Sequence, residues 1–376
     1  MTDGLEQFQL FFGEKMDSGT EEPNLSPADN KHPVLPWGPQ SARFGSVKIE
    51  PENVHAGLAV TLLAVFILTV ILRTTPAIPE KNKETNKIKY ISIDVSSSEE
   101  LISNLKKLEL WELAHDSQIP PVFFTSFPPN IHELSINKKK RAFFHTLLPA
   151  ATIVLSEIAR EKDILNRIMD QFGNQKYDVV FTDDFARWGR RLTKEEINFI
   201  FKLTRKYRTT LAAELLNRVD LVPVSLILAQ GALESSWGTS RFAQEGNNIF
   251  GIWTWGERGM VPSGRETGKR HKLAIYDTTL DAVRAYVVML NRLPAYRTFR
   301  KIRRSTMDSL RLTDGLLYYS ERRGDYVTEI QNIIKHNDLT IYDQFLFTSQ
   351  KEFDSDILKM TDLKKIDLKG AKYASL

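Results

Sequence analysis

The sequence contains no cysteine, and this absence excludes several kinds of site together. A chain without cysteine forms no disulfide bond, no thiolate zinc site and no cysteine nucleophile. The seven histidines do not compensate, because they show no HExxH motif or other close spacing of metal ligands. We therefore expect neither a metal ion nor any other cofactor.

A strong net charge is also missing. The 51 Lys and Arg residues nearly balance the 47 Asp and Glu residues, which leaves a formal charge of +4 over 376 residues. So small an excess does not indicate a nucleic-acid partner, although it permits contact with an anionic polymer. The length accommodates about two modest globular units, and a hydrophobic content of 42% permits a packed core.

Long hydrophobic runs are scarce, and one stands apart. The segment AGLAVTLLAVFILTVIL, residues 56–72, is 17 residues long and carries no charge. At about 1.5 Å per residue it extends about 26 Å, close to the lower limit for a spanning helix. The 55 residues before it far exceed the n-region of a cleavable signal peptide, so the run predicts an uncleaved transmembrane helix. A buried core helix is the alternative.

Composition divides the rest of the chain into further regions. Residues 1–55 are acidic and Pro-containing without clear periodicity, which is typical of a disordered tail. A charged linker follows the apolar run, and helical spacing of apolar residues returns after Tyr90. The resulting prediction is a linker at 73–89, a helical accessory region at 90–205, a candidate catalytic domain at 206–345 and a C-terminal tail at 346–376.

Glu234 stands at the end of an apolar stretch, LILAQGALE, and a Gly/Ser/Trp turn follows it at once. Pro223 suits the first turn of a helix here, and Gly238 suits its termination. A carboxyl flanked by apolar surface has its charged form disfavoured, so its pKa rises toward that of a working acid. Gln230 and Gly231 share its helical face, and Gly231 is expected to leave room for a ligand. The alternative is an ordinary helix-end glutamate bonded to a backbone N–H.

Two short strands follow this helix. Paired asparagines and aromatic residues in NNIFGIWTWG, and the later segment RHKLAIYD, predict a small β-ribbon over residues 249–277. Its polar loop carries Glu257 and Glu266. Thr278 is placed to cap the amphipathic helix that comes next. Helices beside one ribbon predict an α+β fold, mainly α, with the loop carboxylates across a cleft from Glu234.

The block AQGALESSWGTSRFAQEGNNIFGIWTW resembles the signature of the glucosaminidase family, glycoside hydrolase family 73. That signature is an apolar helix, then A-x-x-E-S-x-W-G-x-S, then a Gly-Asn-Asn-aromatic-Gly turn. The segments IPPVFFTSFPPNIHELSINKKKRAFFHTLLP and YYSERRGDYVTEIQNIIKHNDL further resemble its Bax-type branch, found in Gram-negative bacteria. The resemblance implies a lysozyme-like catalytic domain with a small β-hairpin lobe. It also implies cleavage of the β-1,4 bond between N-acetylglucosamine and N-acetylmuramic acid in peptidoglycan.

The same resemblance assigns site residues. Glu234 matches the catalytic acid of the family. Tyr319 matches a tyrosine opposite that acid, with Tyr318 in an equally close register, and Glu266 matches a second acidic residue on the ribbon, with Glu257 as a competitor. Departure of the sugar oxygen requires a proton donor. An inverting route needs a second carboxylate about 6.5–9.5 Å away, whereas a substrate-assisted route uses the N-acetyl group, and both routes stay open.

Aromatic side chains near the motif are candidates for stacking on sugar faces. The tryptophans of the ribbon suit this role best, whereas core packing is an equally good interpretation for Trp237 and Phe250. The predicted substrate-binding residues are Trp237, Asn248, Phe250, Trp253, Trp255 and Tyr318.

A peptidoglycan substrate implies a single-pass inner-membrane protein with its catalytic domain in the periplasm. The charges around residues 56–72 oppose this orientation. Five basic residues lie just after the run and two lie just before it, so the positive-inside rule alone would place the C-terminal part in the cytoplasm. We adopt the periplasmic orientation because the implied substrate is periplasmic.

Three other functions fit the same motif. A lytic transglycosylase would use Glu234 alone on a similar fold. An amidase acting on the stem peptide usually calls for zinc, which the histidine spacing disfavours. A catalytically inactive, glycan-binding envelope scaffold is the alternative outside enzymes.

Overall fold

The computed structural model describes residues 89–113, 117, 119–182, 185–265, 268–345 and 371–375. Several sequence predictions concern other residues. The disordered tail at 1–55, the transmembrane helix at 56–72 and Glu266 all lie outside the described residues.

The described part of the chain is mainly helical, as the sequence predicts, and it contains two small sheets where the sequence predicts one ribbon. The α-helices are α1 (Ser98–Lys107), α2 (Ile136–Asp170), α3 (Phe185–Trp188), α4 (Lys194–Tyr207), α5 (Ala212–Arg218), α6 (Val224–Glu234), α7 (Arg241–Gly246), α8 (Thr279–Arg292), α9 (Arg297–Arg303), α10 (Ser309–Leu312) and α11 (Gly324–His336). Short 3₁₀ helices cover Pro129–Glu133, Gly173–Tyr177, Pro294–Tyr296, Thr313–Leu316 and Leu339–Phe345. The strands are β1 (Lys89–Ile93), β2 (Val122–Phe124), β3 (Trp253–Thr254), β4 (Gly259–Met260), β5 (Lys272–Ala274) and β6 (Ala371–Ser375).

Each sheet has three strands. In the first, the order is β2-β1-β6, with β1 parallel to β2 and antiparallel to β6. Ile91 lies opposite Val122 on one side and opposite Tyr373 on the other. The C-terminal region that the sequence suggests is a tail thus contains a paired strand. In the second sheet, the order is β3-β5-β4 and both pairings are antiparallel. This second sheet lies within residues 249–277, where the sequence predicts a β-ribbon.

Local capping explains where several helices begin. The Ser97 hydroxyl accepts a hydrogen bond from the backbone N–H of Glu100 at the start of α1. Thr193 and Glu196 form a reciprocal capping box at the start of α4. Thr278 caps α8 by accepting a hydrogen bond from the backbone N–H of Asp281, as the sequence predicts. Each cap satisfies a backbone donor that the helix itself leaves free.

The 35-residue helix α2 runs through the main core. It is the one helix among the described residues that is long and apolar enough to cross a membrane, but 89% of its most apolar window is buried inside the protein. Pro149 lies within the helix, and its carbonyl accepts a hydrogen bond from the Thr152 hydroxyl at 2.9 Å. Helix α2 is therefore the central packing element of the fold.

Buried apolar side chains form two clusters. The larger one combines residues from Tyr90 to Ile158 with residues from Val222 to Leu339. The smaller one consists of residues from Leu165 to Val219, contributed by the end of α2 and by α3, α4 and α5. The larger cluster thus combines the first part of the predicted accessory region with the glutamate-bearing helix, and the smaller one contains residues from both sides of position 205.

Candidate active site

Helix α6 holds Glu234 at its C-terminal end, and its start is fixed by a residue far along the chain. Pro223 precedes the helix and provides no side-chain cap. Instead, Asp343 accepts hydrogen bonds from the Ser225 backbone N–H at 2.8 Å and from the Ser225 hydroxyl at 2.7 Å. Burial raises the pKa of the Asp343 carboxyl. An acidic side chain at a helix N-terminus satisfies free backbone donors and stabilises the helix.

The turn after Glu234 has an unusual backbone. Ser236, Trp237 and Gly238 have positive φ angles of 51°, 61° and 78° in succession. The Ser235 hydroxyl secures the turn, because it accepts from the Gly238 N–H at 2.8 Å and donates to a carbonyl one helical turn earlier. Positive φ costs about 1–2 kcal/mol for a residue with a Cβ. The Ser-Ser-Trp-Gly sequence therefore ends the helix abruptly at Glu234.

Gly231 does not leave room for a ligand, contrary to the prediction. A Cβ built there would lie 3.0 Å from the Leu147 side chain and 3.2 Å from the Ile249 side chain. Both are core residues. The glycine is needed because α6 packs closely against α2 and against the segment that follows α7.

Glu234 as a whole residue is partly exposed, whereas its carboxyl is largely surrounded by protein. Burial raises the pKa of the carboxyl from an ordinary 4.5 to about 7, and the charge of Glu329 adds to the rise. A hydrogen bond from Tyr326 and the charge of Arg322 lower the pKa and offset part of this rise. The backbone of Gly251, at φ +63°, approaches closely enough that a Cβ there would lie 3.2 Å from Glu234 Oε2. Such a carboxyl keeps its proton near neutral pH and can donate it.

A chain of hydrogen bonds leads to this carboxyl from the core. The Tyr286 hydroxyl donates to Gln230 Oε1, and Gln230 Nε2 donates to the Tyr326 hydroxyl at 2.8 Å. Tyr326 in turn forms a hydrogen bond with Glu234. Tyr286, Gln230 and Tyr326 are all buried.

Stacked aromatic rings surround the chain of hydrogen bonds. Tyr319 stacks on Tyr326 with ring centres 5.5 Å apart, and Phe250 stacks on Tyr286 at 4.1 Å. The Tyr319 hydroxyl donates to the backbone carbonyl of Phe250 at 2.7 Å. Of the two predicted registers, Tyr319 belongs to the group around Glu234, although Tyr326 is the tyrosine hydrogen-bonded to it. Phe250 is 1% exposed and packs in the core, in place of the predicted contact with sugar.

Asn248 has a structural role in place of the predicted contact with substrate. Its amide donates to the carbonyls of Ile252 at 2.8 Å and Ala274 at 2.9 Å, and its oxygen accepts from the Ile252 N–H at 2.8 Å. The residue is 1% exposed. These bonds fix the turn before β3 and attach it to β5.

The three tryptophans near the motif differ in exposure. Trp237 meets Phe143 and Phe144 edge to face and is partly exposed, with the Lys140 ammonium 4.9 Å from its ring centre. Trp253 stacks on His271 at 4.4 Å. Trp255 is 59% exposed, so its ring has surface available for a ligand.

The remaining candidates lie at the surface. Glu257 is exposed in the turn between β3 and β4, where its backbone carbonyl accepts from Lys272 Nζ at 2.8 Å. Tyr318 is 50% exposed, with the Arg323 guanidinium 4.4 Å from its ring centre. Within the residues that the structure describes, no group of three or more His, Asp or Glu side chains is arranged to hold a metal ion.

Sequence reasoning missed Tyr326 and Tyr286 as members of the site. A signal for Tyr326 was present, because Tyr326, Ile330 and Ile334 follow one another at helical spacing and form the buried face of α11. A tyrosine on a buried face needs a partner for its hydroxyl. The sequence did not show which residue that partner is.

Comparison with known proteins finds relatives of the part of the chain that contains these residues. Residues 209–339 match the glucosaminidase family, described as mannosyl-glycoprotein endo-β-N-acetylglucosaminidase. The chain is 31% identical over 169 residues to the protein named bax of Escherichia coli K12, and the matched segment covers 44% of this chain and 55% of bax. It is 33% identical over 102 residues to the peptidoglycan hydrolase FlgJ of Salmonella typhimurium, covering 24% of this chain and 32% of FlgJ. The chain thus spans about half the length of one relative and about a third of the other.

Two solved structures are also similar. The catalytic domain of the autolysin Auto from Listeria monocytogenes matches 44% of this chain and 99% of its own length, at 20% identity and a TM-score of 0.26. A truncated glycoside hydrolase domain of FlgJ from Salmonella typhimurium matches 38% of this chain and 96% of its own length, at 22% identity and a TM-score of 0.24.

The family match contains α6, the second sheet, α8 and α11, which together surround Glu234. Its residues therefore include the whole hydrogen-bonded group described above. Residues 209–339 are a glycoside hydrolase domain of the glucosaminidase family.

Proposed function

We propose that this domain hydrolyses the β-1,4 bond between N-acetylglucosamine and N-acetylmuramic acid in peptidoglycan, with Glu234 as the general acid. The observation that carries the proposal is the Glu234 carboxyl itself. The residue is partly exposed, and burial raises the pKa of its carboxyl to about 7. A group that is protonated near neutral pH and accessible to a ligand is suited to protonate a departing sugar oxygen.

The comparisons support the choice of substrate. The matched family is described as mannosyl-glycoprotein endo-β-N-acetylglucosaminidase, and FlgJ is named a peptidoglycan hydrolase. The first description gives the sugar, N-acetylglucosamine, and the second gives the polymer, in which that sugar is β-1,4-linked to N-acetylmuramic acid.

In the proposed reaction, the proton of Glu234 passes to the glycosidic oxygen as the bond to the sugar breaks. The positive charge that develops on the sugar ring is then stabilised by the carboxylate left behind. Water attack requires either a second carboxylate, for which Glu257 and Glu266 are the candidates, or the N-acetyl group of the substrate. Trp253 and Trp255 are the proposed stacking platforms for sugar rings, because the ribbon presents both with exposed surface.

The membrane assignment is part of the same proposal. Residues 56–72 are long and apolar enough for a single span, and a peptidoglycan substrate requires the catalytic domain outside the cytoplasm. We therefore propose an inner-membrane anchor followed by a periplasmic domain. Protease protection of the C-terminal domain in intact spheroplasts would contradict it.

The experiment uses the full chain purified in detergent, incubated with purified peptidoglycan, and mass spectrometry of the released fragments. The proposal expects fragments with reducing N-acetylglucosamine ends, lost in Glu234→Gln. The matched control is Glu245→Gln, which removes an exposed glutamate from the same motif. Anhydro-muramic ends would indicate a lytic transglycosylase, and free stem peptides would indicate an amidase. If the protein binds the glycan but leaves it intact, the enzymatic proposal is refuted and the glycan-binding envelope scaffold is the remaining hypothesis.

A further inference from the structure

The hydrogen bonds behind Glu234 all run in one direction. Tyr286 donates to the oxygen of Gln230, and the nitrogen of Gln230 donates to the oxygen of Tyr326. The Tyr326 oxygen accepts from Gln230, so its single proton is left to donate to Glu234, the other hydrogen-bond partner of this hydroxyl. The Gln230 amide thus links Tyr286 to the residue that bonds Glu234.

This direction is protected by burial. Gln230 and Tyr286 are each 0% exposed, and Tyr326 is 1% exposed. Burial raises the pKa of both tyrosine hydroxyls well above the usual range, so both remain protonated donors. If the Gln230 amide were reversed, its oxygen would accept from Tyr326, and Tyr326 would have no proton left to donate to the Glu234 carboxylate. The ionised form of Glu234 would then lose a stabilising hydrogen bond.

We propose that Gln230 and Tyr286 are positioning residues that hold the Tyr326 hydroxyl as a donor to the Glu234 carboxyl. The inference rests on the function proposed for Glu234. In a protonated carboxyl the carbonyl oxygen is the better acceptor, so donation from Tyr326 leaves the carboxyl O–H outside this chain of hydrogen bonds. That O–H is then available to a ligand such as the leaving oxygen of the sugar.

The same bond acts again after proton transfer. When the Glu234 proton has passed to the sugar oxygen, the carboxylate keeps the Tyr326 hydrogen bond, which favours the charged form. The network therefore makes Glu234 a stronger acid than burial alone would. It offsets part of the rise in pKa that desolvation causes.

Other titratable and charged groups also face Glu234, and the test must separate their effects. Arg322 lies in the turn before α11 and Glu329 lies on α11, and they are joined by an exposed ion pair of 2.6 Å. The tyrosine groups that sense the Glu234 charge are Tyr286 on α8, Tyr296 in a 3₁₀ helix, Tyr319 and Tyr326. Arg322 and Glu329 stay in place in every variant proposed below.

The experiment measures the pKa of Glu234 in the full chain and in three variants, Tyr326→Phe, Gln230→Met and Tyr286→Phe. Tyr326→Phe is expected to raise this pKa by about one unit, the effect of one hydrogen bond to a carboxylate. Gln230→Met and Tyr286→Phe are expected to raise it by less, because Tyr326 can still donate for part of the time. Tyr207→Phe is the matched control, since it removes a buried hydroxyl bonded at 2.8 Å to Glu161, which lies outside the site.

Two readouts report the pKa. One is the alkaline limb of kcat/KM on peptidoglycan. The other needs no activity: the pH dependence of the difference in Tm between each protein and the same protein carrying Glu234→Gln. If peptidoglycan is not cleaved, the proposed function fails, but the second readout still tests the network.

A double mutant distinguishes positioning from mere packing. If Gln230 acts through Tyr326, Gln230→Met shifts the Glu234 pKa in the wild-type chain but not in the Tyr326→Phe background. An unchanged pKa in Gln230→Met and Tyr286→Phe would overturn the proposal. So would a Gln230→Met shift that persists without the Tyr326 hydroxyl. Tyr286→Phe keeps the ring that stacks on Phe250. It therefore tests the proposal even if Gln230→Met does not fold.

Discussion

Replacement of Glu234 by Gln should stabilise the folded domain at high pH while abolishing its proposed activity. The carboxyl has a pKa of about 7 in the folded chain against an ordinary value of 4.5. A folded pKa above the unfolded one means that the contribution to stability is complete below about pH 4.5. It is lost progressively as the pH rises through about 7, because ionising the partly buried carboxyl destabilises the fold. Gln has no proton to lose, so the variant avoids this loss.

The magnitude follows from the size of the pKa change. A difference of about 2.5 units corresponds to at most about 3.4 kcal/mol at 1.36 kcal/mol per unit. Partial exposure of the carboxyl reduces this figure through solvent screening, so we expect about 1–3 kcal/mol. In a domain of this size each kcal/mol moves Tm by about 2–4 °C.

The assay is thermal unfolding of both proteins between pH 4 and pH 8. The variant should exceed the wild type in Tm by a margin that is small at pH 4 and grows through pH 7. The exposed Glu245→Gln control should change the free energy of unfolding by less than about 0.5 kcal/mol throughout. A difference between wild type and Glu234→Gln that is constant with pH, or that shrinks as pH rises, would refute the account of Glu234.

Three further changes have expected outcomes. Arg322→Gln should raise the Glu234 pKa and Glu329→Gln should lower it, each by a few tenths of a unit, and added salt should reduce both shifts. Shifts in the same direction, read from the pH dependence of kcat/KM, would contradict the assignment of these charges. Asn248→Ala should lower the free energy of unfolding by about 2–4 kcal/mol in urea titrations, because it leaves buried backbone groups without partners; an unchanged midpoint would show that the turn does not depend on it. Asp343→Ala should cost about 1–2 kcal/mol by removing the cap of α6, and an effect below about 0.5 kcal/mol would show that the cap is dispensable.

Local patterns predicted the parts of the site that are close together in the chain. The placement of Glu234 at the end of an apolar helix follows from a continuous apolar run and a Gly-containing turn, and the structure has α6 end at that residue. The cap at Thr278 and the ribbon within residues 249–277 rest on spacings of a few residues. Helix periodicity, caps and turns are set by interactions between near neighbours, so one sequence is enough to recognise them.

Local patterns did not decide whether a polar, aromatic or small residue near the motif faces a ligand or the core. The sequence predicts a substrate contact for Asn248 and leaves Phe250 open between such a contact and the core, and both residues are buried. The sequence also predicts space for a ligand at Gly231, but Leu147 and Ile249 fill that space. An amide, a ring or a glycine next to a functional glutamate looks the same in sequence whether it faces a ligand or the core.

The sequence by itself determined that Glu234 ends an apolar helix and that its domain has the glucosaminidase motif, because these depend on residues near one another in the chain. Tertiary structure alone decided what surrounds this glutamate. Gln230 meets Tyr286 across 56 positions of sequence and Tyr326 across 96 positions, and Ser225 meets Asp343 across 118. Which buried donor faces which acceptor depends on how α6, α8 and α11 pack, and packing is a property of the whole core.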